Sequence, residues 1–228
     1  MTGGTVFADR RDAGRKLAPE VQDCAFQDPI VLALPRGGVP VGFEVAKALG
    51  APLDVLLVRK IGAPGHEEYG IGALVDGTSP RVVIDEASAR MVGATKDYID
   101  RQIAAQLAEI ERRRALYRTG APVRTTCRTA VVVDDGIATG GSMRAALQAL
   151  AQARPARIIL AVPLAPTEVL PALRKLCDRL ICLASPEPFY AVGVHYRDFT
   201  QTRDEEVIHL LAEARQWEKP GFREVSQS

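Results

Sequence analysis

The chain carries no dominant charge. Its 29 basic and 28 acidic side chains leave a formal net charge of +1 over 228 residues, so no global field directs it to nucleic acid or to a membrane surface. Long apolar runs are also missing. Stretches such as Ile30 to Leu34 and Ile158 to Leu164 fall far short of the roughly 20 residues that span a bilayer. The opening segment, MTGGTVFADRRDAG, has no apolar core of the kind a secretion signal needs, and a cytoplasmic protein is the expectation. The four cysteines, Cys24, Cys127, Cys177 and Cys182, have neither the spacing of a disulfide framework nor histidines placed to complete a zinc site. They read as small buried hydrophobes in a reducing compartment. His66, His195 and His209 are too dispersed to act as metal ligands. No repeat appears, and neither the GxGxxG dinucleotide fingerprint nor a Walker Gly-Lys-Ser/Thr is present.

What is present is an alternation. Apolar content of 47% with 25% charged residues suits a globular chain, of a length for one domain with a small annex. Ile30 to Leu34, Leu53 to Val58, Thr129 to Val133, Arg157 to Val162 and Arg179 to Leu183 read as strands buried on both faces. Helical spacing at Val39 to Leu49, Gly141 to Ala153 and Thr167 to Leu176 separates several of them. The pattern is βαβ and the fold class α/β. Between residues 61 and 85 the alternation breaks into a Gly- and Pro-containing mobile loop, then a hairpin of Ile71 to Val75 with Arg81 to Ile84 around Asp76-Gly77. A long helix follows from Thr95 to Tyr117, with Ile99, Ile103, Leu107 and Ile110 on one face and Arg112, Arg113 and Arg114 at a solvated end. Residues 1–185 form the expected core, and residues 186–228 a hood and closing helix of the same domain. The hood holds Phe189, Tyr190, Tyr196 and Phe199, four of the chain's six phenylalanines and five tyrosines.

The chemistry concentrates in VVVDDGIATGGSM at 131 to 143: a buried strand, two carboxylates, a loop of small residues, and a helix from about Gly141. Backbone amides of Ile137, Ala138, Thr139, Gly140, Gly141 and Ser142, where a helix begins, would make a phosphate nest, with Thr139 and Ser142 adding hydroxyls. Carboxylates beside an anion site need donors rather than anions, and vicinal sugar hydroxyls suit Asp134 and Asp135. The segment therefore points to a ribose phosphate.

This segment closely resembles the diphosphate-sugar signature of type I phosphoribosyltransferases. Two others add to the resemblance. Pro35-Arg36-Gly37-Gly38, leaving the first strand, resembles that family's diphosphate loop, which often carries a cis non-proline peptide, here expected beside Arg36 and Gly37. Arg59-Lys60 followed by IGAPGHEEYG resembles the start of its flexible closing loop.

The resemblance implies a sheet of about five parallel strands flanked by helices, with a small C-terminal hood. It also implies transfer of phosphoribose from phosphoribosyl diphosphate to a nitrogen of a nucleobase or related heterocycle. Mg2+ would be held through the substrate, with Asp134 and Asp135 reaching only its shell. Arg36, Gly37, Gly38, Arg59 and Lys60 would bind diphosphate. Oxopurine members carry Asp where this chain has Ala138, and the Ala-Thr-Gly-Gly form resembles adenine and uracil members. By the same resemblance, Glu68 of Glu68-Tyr69-Gly70 is the proton-transfer candidate, with Glu67 second, and Phe189 or Tyr190 the acceptor-stacking ring. Dimers are common in the family, and the sequence leaves a homodimer open. A second reading, a non-catalytic sensor of phosphoribosyl diphosphate or a nucleotide, is open too, although the balanced charge gives no sign of a nucleic-acid partner.

Overall fold

The computed structural model describes residues 7–24, 28–76, 80–117 and 124–217, apart from the side chains of Glu67, Glu68 and Trp217. In chain order the elements are α1 (Arg10–Gln22), β1 (Pro29–Ala33), α2 (Gly38–Leu49), β2 (Leu53–Val55), β3 (Val58–Ala63), β4 (His66–Val75), β5 (Arg81–Ile84), α3 (Glu86–Met91) and α4 (Lys96–Tyr117). They continue with β6 (Thr129–Val133), α5 (Gly141–Gln152), β7 (Arg157–Leu164), α6 (Leu170–Arg174), β8 (Arg179–Ala184) and α7 (Asp204–Ala214).

The five expected strands pair in the order β2-β1-β6-β7-β8, parallel throughout. Side chains alternate between faces along each strand. Val31, Ala33, Val131 and Val133 enter one apolar cluster with α1, α2 and α7. Ile30, Leu32, Ala130 and Val132 enter another with α5. Burial on both faces is why these strands read as unbroken apolar runs. The chain order reverses between β1 and β6, and ligand crevices of open α/β sheets form at the strands' carboxyl ends at such a point.

The stretch expected to be a mobile loop is ordered as strands. β3 and β4 pair antiparallel from Val58↔Val75 to Ala63↔His66, around a turn at Gly65 with φ of 73°. The expected hairpin is there as β4 with β5, from Gly72↔Ile84 to Val75↔Arg81, and part of its turn, residues 77–79, lies outside the described residues. Register irregularities at Ile61 to Ala63 hid the strands by breaking the two-residue period. This three-stranded sheet buries Ile61, Ala63 and Ile71 against Tyr98, Ile99 and Ile103 of α4. Farther along the same helix face, Leu107 and Ile110 pack into the main core. α4 thus ties the annex to the body.

Three further differences from expectation matter. α1 had no counterpart in the sequence reading, because its buried face is Ala13, Gly14, Leu17, Ala18 and Val21, mostly small residues with a weak apolar signal. Asp9 caps it by accepting from the Asp12 amide at 2.7 Å. The arginine run is not simply solvated: Arg114 forms an ion pair with the fully buried carboxylate of Asp76, and Arg113 turns into the crevice. Cys127 is exposed rather than buried, and all four cysteines are free thiols. Among the described residues no helix is long and apolar enough to cross a membrane.

Candidate functional site

Two loops diverge from the adjacent ends of β1 and β6. Leu34 donates its amide to the Val133 carbonyl at 2.9 Å, and Gly38 donates to Leu34 at 3.0 Å, so the turn of residues 34–38 is folded against the end of β6. The Pro35–Arg36 peptide is cis; it adjoins Arg36 but not Gly37, although the expectation set it beside both. A Cβ on Gly37 would overlap the Asp135 carboxylate, and one on Gly38 would come within 2.8 Å of the Val133 carbonyl. Both glycines answer a need for space, and the turn of residues 34–38 and the acidic pair form one packed unit.

Beyond Val133, the Asp135 amide donates to Asp134 Oδ1 at 2.9 Å. Burial, reinforced by the adjacent charge of Asp135, pushes the Asp134 carboxyl well above its ordinary range. The Ile137 amide donates to the Leu164 carbonyl of β7 at 2.9 Å, and its side chain is buried. This corrects one member of the expected nest: the Ile137 N–H is already engaged, so that residue shapes the loop. Among the described residues no backbone acceptor engages the amides of residues 138–142. Gly140, in the left-handed region with φ of 76°, precedes the first turn of α5. Thr139 and Ser142 are exposed there, which leaves a group of donors at a helix N-terminus.

A cleft of about 150 Å³ lies between the loops. Pro35, Asp134 and Ser142 line it from the sheet side, Arg59 from β3 and Arg113 from α4. Arg59 is steadied by Nε donating to Gln106 Oε1 at 2.8 Å. Arg113 is steadied by Nε donating to Glu109 Oε1 at 2.7 Å, and with Arg112 it holds the Glu109 carboxyl down at about 2. Lys60 is not part of the lining: strand alternation sends it the other way, to lie along Gly70. Arg36, half-buried, is directed toward Asp204 of α7, with 3.8 Å between Nη1 and Oδ1. Asp204 also accepts from the Tyr117 hydroxyl. That phenol is pushed up to about 12, by burial first and the Asp204 bond second.

Asp135 is not among the residues that line the cleft. Its Oδ2 accepts from Arg10 Nε at 2.7 Å, and its carbonyl accepts from the Tyr196 hydroxyl at 2.5 Å. Neither Arg10 nor Arg113 was foreseen, since each meets the site only through contacts distant in sequence. The side chains of Glu67 and Glu68 lie outside the described residues. Their backbone belongs to β4, close to the turn of the β3–β4 hairpin. Of the two candidate rings, Phe189 packs inward, 5.4 Å from the buried His195 ring, whereas Tyr190 is 80% exposed. Among the described residues no group of three or more His, Cys, Asp or Glu side chains is arranged to hold a metal ion.

This geometry has counterparts. The phosphoribosyl transferase domain family matches residues 8–198. A protein of Mycobacterium tuberculosis, found in strains H37Rv and CDC 1551 and provisionally named a phosphoribosyl transferase, is 44% identical over 213 residues. The match covers 92% of this chain and 47% of that protein, so the chain spans about half the length of this relative. The crystal structure of the protein TT1426 from Thermus thermophilus superposes with a TM-score of 0.79 at 41% identity, covering 91% of this chain and 98% of that one. With the parallel five-stranded sheet and the loops at its switch point, these matches place the chain in the phosphoribosyl transferase domain family.

Proposed function

We propose that this domain transfers phosphoribose from phosphoribosyl diphosphate to a ring nitrogen of a nucleobase-like heterocycle, releasing diphosphate. One observation carries the reading. A single cleft at the β1/β6 split joins a carboxylate, Asp134, to Ser142 in the first turn of α5 and to two arginines, Arg59 and Arg113, and the amides of residues 138–142 that lead into that turn engage no backbone acceptor among the described residues.

The ligand is partitioned by chemistry. The 5-phosphate goes to the amides of residues 138–142 and the hydroxyls of Thr139 and Ser142. A ribose hydroxyl donates to Asp134. The diphosphate lies toward the glycine loop and the arginines, which offset the charge that builds as the anomeric C–O bond breaks and its electron pair leaves with diphosphate. The acceptor nitrogen gives its lone pair to the anomeric carbon and later loses its proton. Mg2+, when bound with the substrate, would neutralise the leaving group and be held mainly by substrate oxygens and water. Asp134 would be the protein carboxylate that meets that water shell.

Ala138 removes the motif's own candidate for a base, so proton transfer falls to the β3–β4 hairpin, where Glu68 is the residue of choice. Tyr190 offers an exposed ring for stacking the heterocycle.

The test is diphosphate release from phosphoribosyl diphosphate and Mg2+ with adenine, hypoxanthine, guanine, xanthine, uracil or orotate. Release with one base supports the transferase and identifies its acceptor class. Tight binding of the sugar without release for any base favours a sensor. No binding of the sugar at all would sink the phosphoribose reading itself.

A further inference from the structure

We propose that Arg10 divides the two carboxylates at the end of β6: as a positioning residue it fastens Asp135 to α1 and the C-terminal segment, and leaves Asp134 as the carboxylate that meets the sugar. This rests on the phosphoribose reading above and assigns separate tasks to a pair that the motif presents as equivalent.

The division begins in the strand. Val131 and Val133 face the α1 side of the sheet, and Ala130 and Val132 face the α5 side. Continuing that alternation sends Asp135 toward α1 and Asp134 toward α5 and the phosphate loop. The side chains follow it: Asp134 lines the cleft with Ser142, whereas Asp135 meets Arg10.

Arg10 is held at three points. Its Nε donates to Asp135 Oδ2 at 2.7 Å. Its Nη1 donates to the Thr200 carbonyl at 2.7 Å. Its guanidinium carbon sits 3.9 Å from the centre of the Phe199 ring. The side chains of Arg10 and Asp135 are only 11% and 15% exposed, so solvent screens the pair weakly. A planar fork that bonds in two directions while stacking on a ring is arginine geometry, which lysine cannot reproduce.

The same joint fixes the backbone of Asp135. Tyr196 donates its hydroxyl to the Asp135 carbonyl, and burial keeps that phenol protonated far above its ordinary range. The centre of its ring is 5.3 Å from that of Phe7 and 5.1 Å from that of Phe199. Amides of Arg197 and Asp198 donate to the carbonyls of Phe7 and Ala8, joining the hood to the residues that lead into α1. Asp135 is therefore gripped at its carboxylate and at its carbonyl, and the glycine at 37 leaves room for it. Turning Asp135 to a ribose would break its ion pair with Arg10. Asp134 needs no such rearrangement.

The experiment measures ribose 5-phosphate binding by calorimetry and thermal midpoints for Asp134→Asn, Asp135→Asn, Arg10→Met, Arg10→Lys and the Arg10→Met/Asp135→Asn double variant. Asp134→Asn is expected to weaken ribose 5-phosphate about tenfold or more, as loss of a charged hydrogen bond does, without lowering the midpoint. Arg10→Met and Asp135→Asn are each expected to lower the midpoint and to weaken the ligand by a similar, smaller factor of about three, with the double variant no worse than the poorer single one. Arg10→Lys should recover part of both losses.

If Asp135→Asn weakens ribose 5-phosphate as much as Asp134→Asn while Arg10→Met leaves it unchanged, Asp135 is itself a sugar ligand and the inference is wrong. Additive losses in the double variant would overturn it as well. If the wild-type protein does not bind ribose 5-phosphate, the phosphoribose reading fails and takes this inference with it. Only the first two outcomes leave that reading standing.

Discussion

Gly37 and Gly141 both belong to glycine pairs in motif loops, yet the structure asks different things of them. Gly37 has a φ of −61°, which any residue adopts, and its requirement is space, because a methyl group there would meet the Asp135 carboxylate. Gly37→Ala should therefore displace Asp135 and cost about 1–3 kcal/mol, the usual range for overpacking, as read by urea denaturation. A Cβ on Gly141 meets nothing within 4 Å. Gly141→Ala should keep or slightly raise stability, by up to about 1 kcal/mol, while inorganic phosphate binding weakens if the ligand approaches that backbone closely.

Asp134 makes a prediction with a defined sign. Its folded-state carboxyl holds its proton above the unfolded value, through burial and the Asp135 charge. Between those two values the native state binds more protons, so stability falls as pH rises through this window and the penalty persists above it. Asp134→Asn should thus be more stable than wild type at neutral pH, with the advantage shrinking as pH is lowered toward the ordinary carboxylate range. Equal stability of the two proteins across that range would contradict the assignment. The acidic pair itself was legible in the sequence. Its inequality was not, because it depends on which face of β6 α1 covers, and Arg10 lies 125 positions from Asp135.

Elements that bury large or β-branched apolar side chains were legible nearly to their ends. α4 was expected from Thr95 and runs Lys96–Tyr117, and β6 matches its expected span. Elements with weaker marks were not: α1 buries mostly small residues, and β3 is irregular at Gly62. The charged end of α4 shows the limit of reading charge from sequence alone. Arg112, Arg113 and Arg114 are consecutive, but a helix advances each by about 100°, so the three face different surroundings. The Arg112 side chain is 61% exposed beside Glu109, while Arg114 is 25% exposed and paired with a fully buried Asp76. Arg114→Met should remove a charged partner of that buried carboxylate and cost about 3 kcal/mol. Arg112→Met should cost under about 0.5 kcal/mol. Denaturant titrations of the two variants compare them directly, and equal losses would show that burial of Asp76 does not depend on Arg114.

For the whole molecule, the parts that close on the cleft come from distant stretches of chain: Pro35 after β1, Arg59 on β3, Arg113 on α4 and Asp134 after β6. Arg59 and Arg113 belong to elements of, or attached to, the annex sheet, whereas Pro35 and Asp134 belong to the main sheet. A ligand that engages both sides adds a tie between the two sheets that the free protein lacks. Binding only to the folded state stabilises by about 2.7 kcal/mol at a hundredfold excess over Kd. For a chain of this size each kcal/mol moves the melting point by about 2–4 °C, so phosphoribosyl diphosphate with Mg2+ at that excess should raise it by about 5–10 °C. On the proposed partition of the ligand, ribose 5-phosphate reaches only the main-sheet side. At the same multiple of its own Kd it should raise the global midpoint equally, but leave hydrogen exchange in β3, β4 and α4 nearly unchanged. The diphosphate sugar should slow exchange there as well. That contrast separates a ligand that joins the two sheets from one that merely binds tightly, because the midpoint reports occupancy and the exchange pattern reports where the new contacts lie. Protection confined to β6 and α5 with the full diphosphate sugar would mean that Arg59 and Arg113 do not take part.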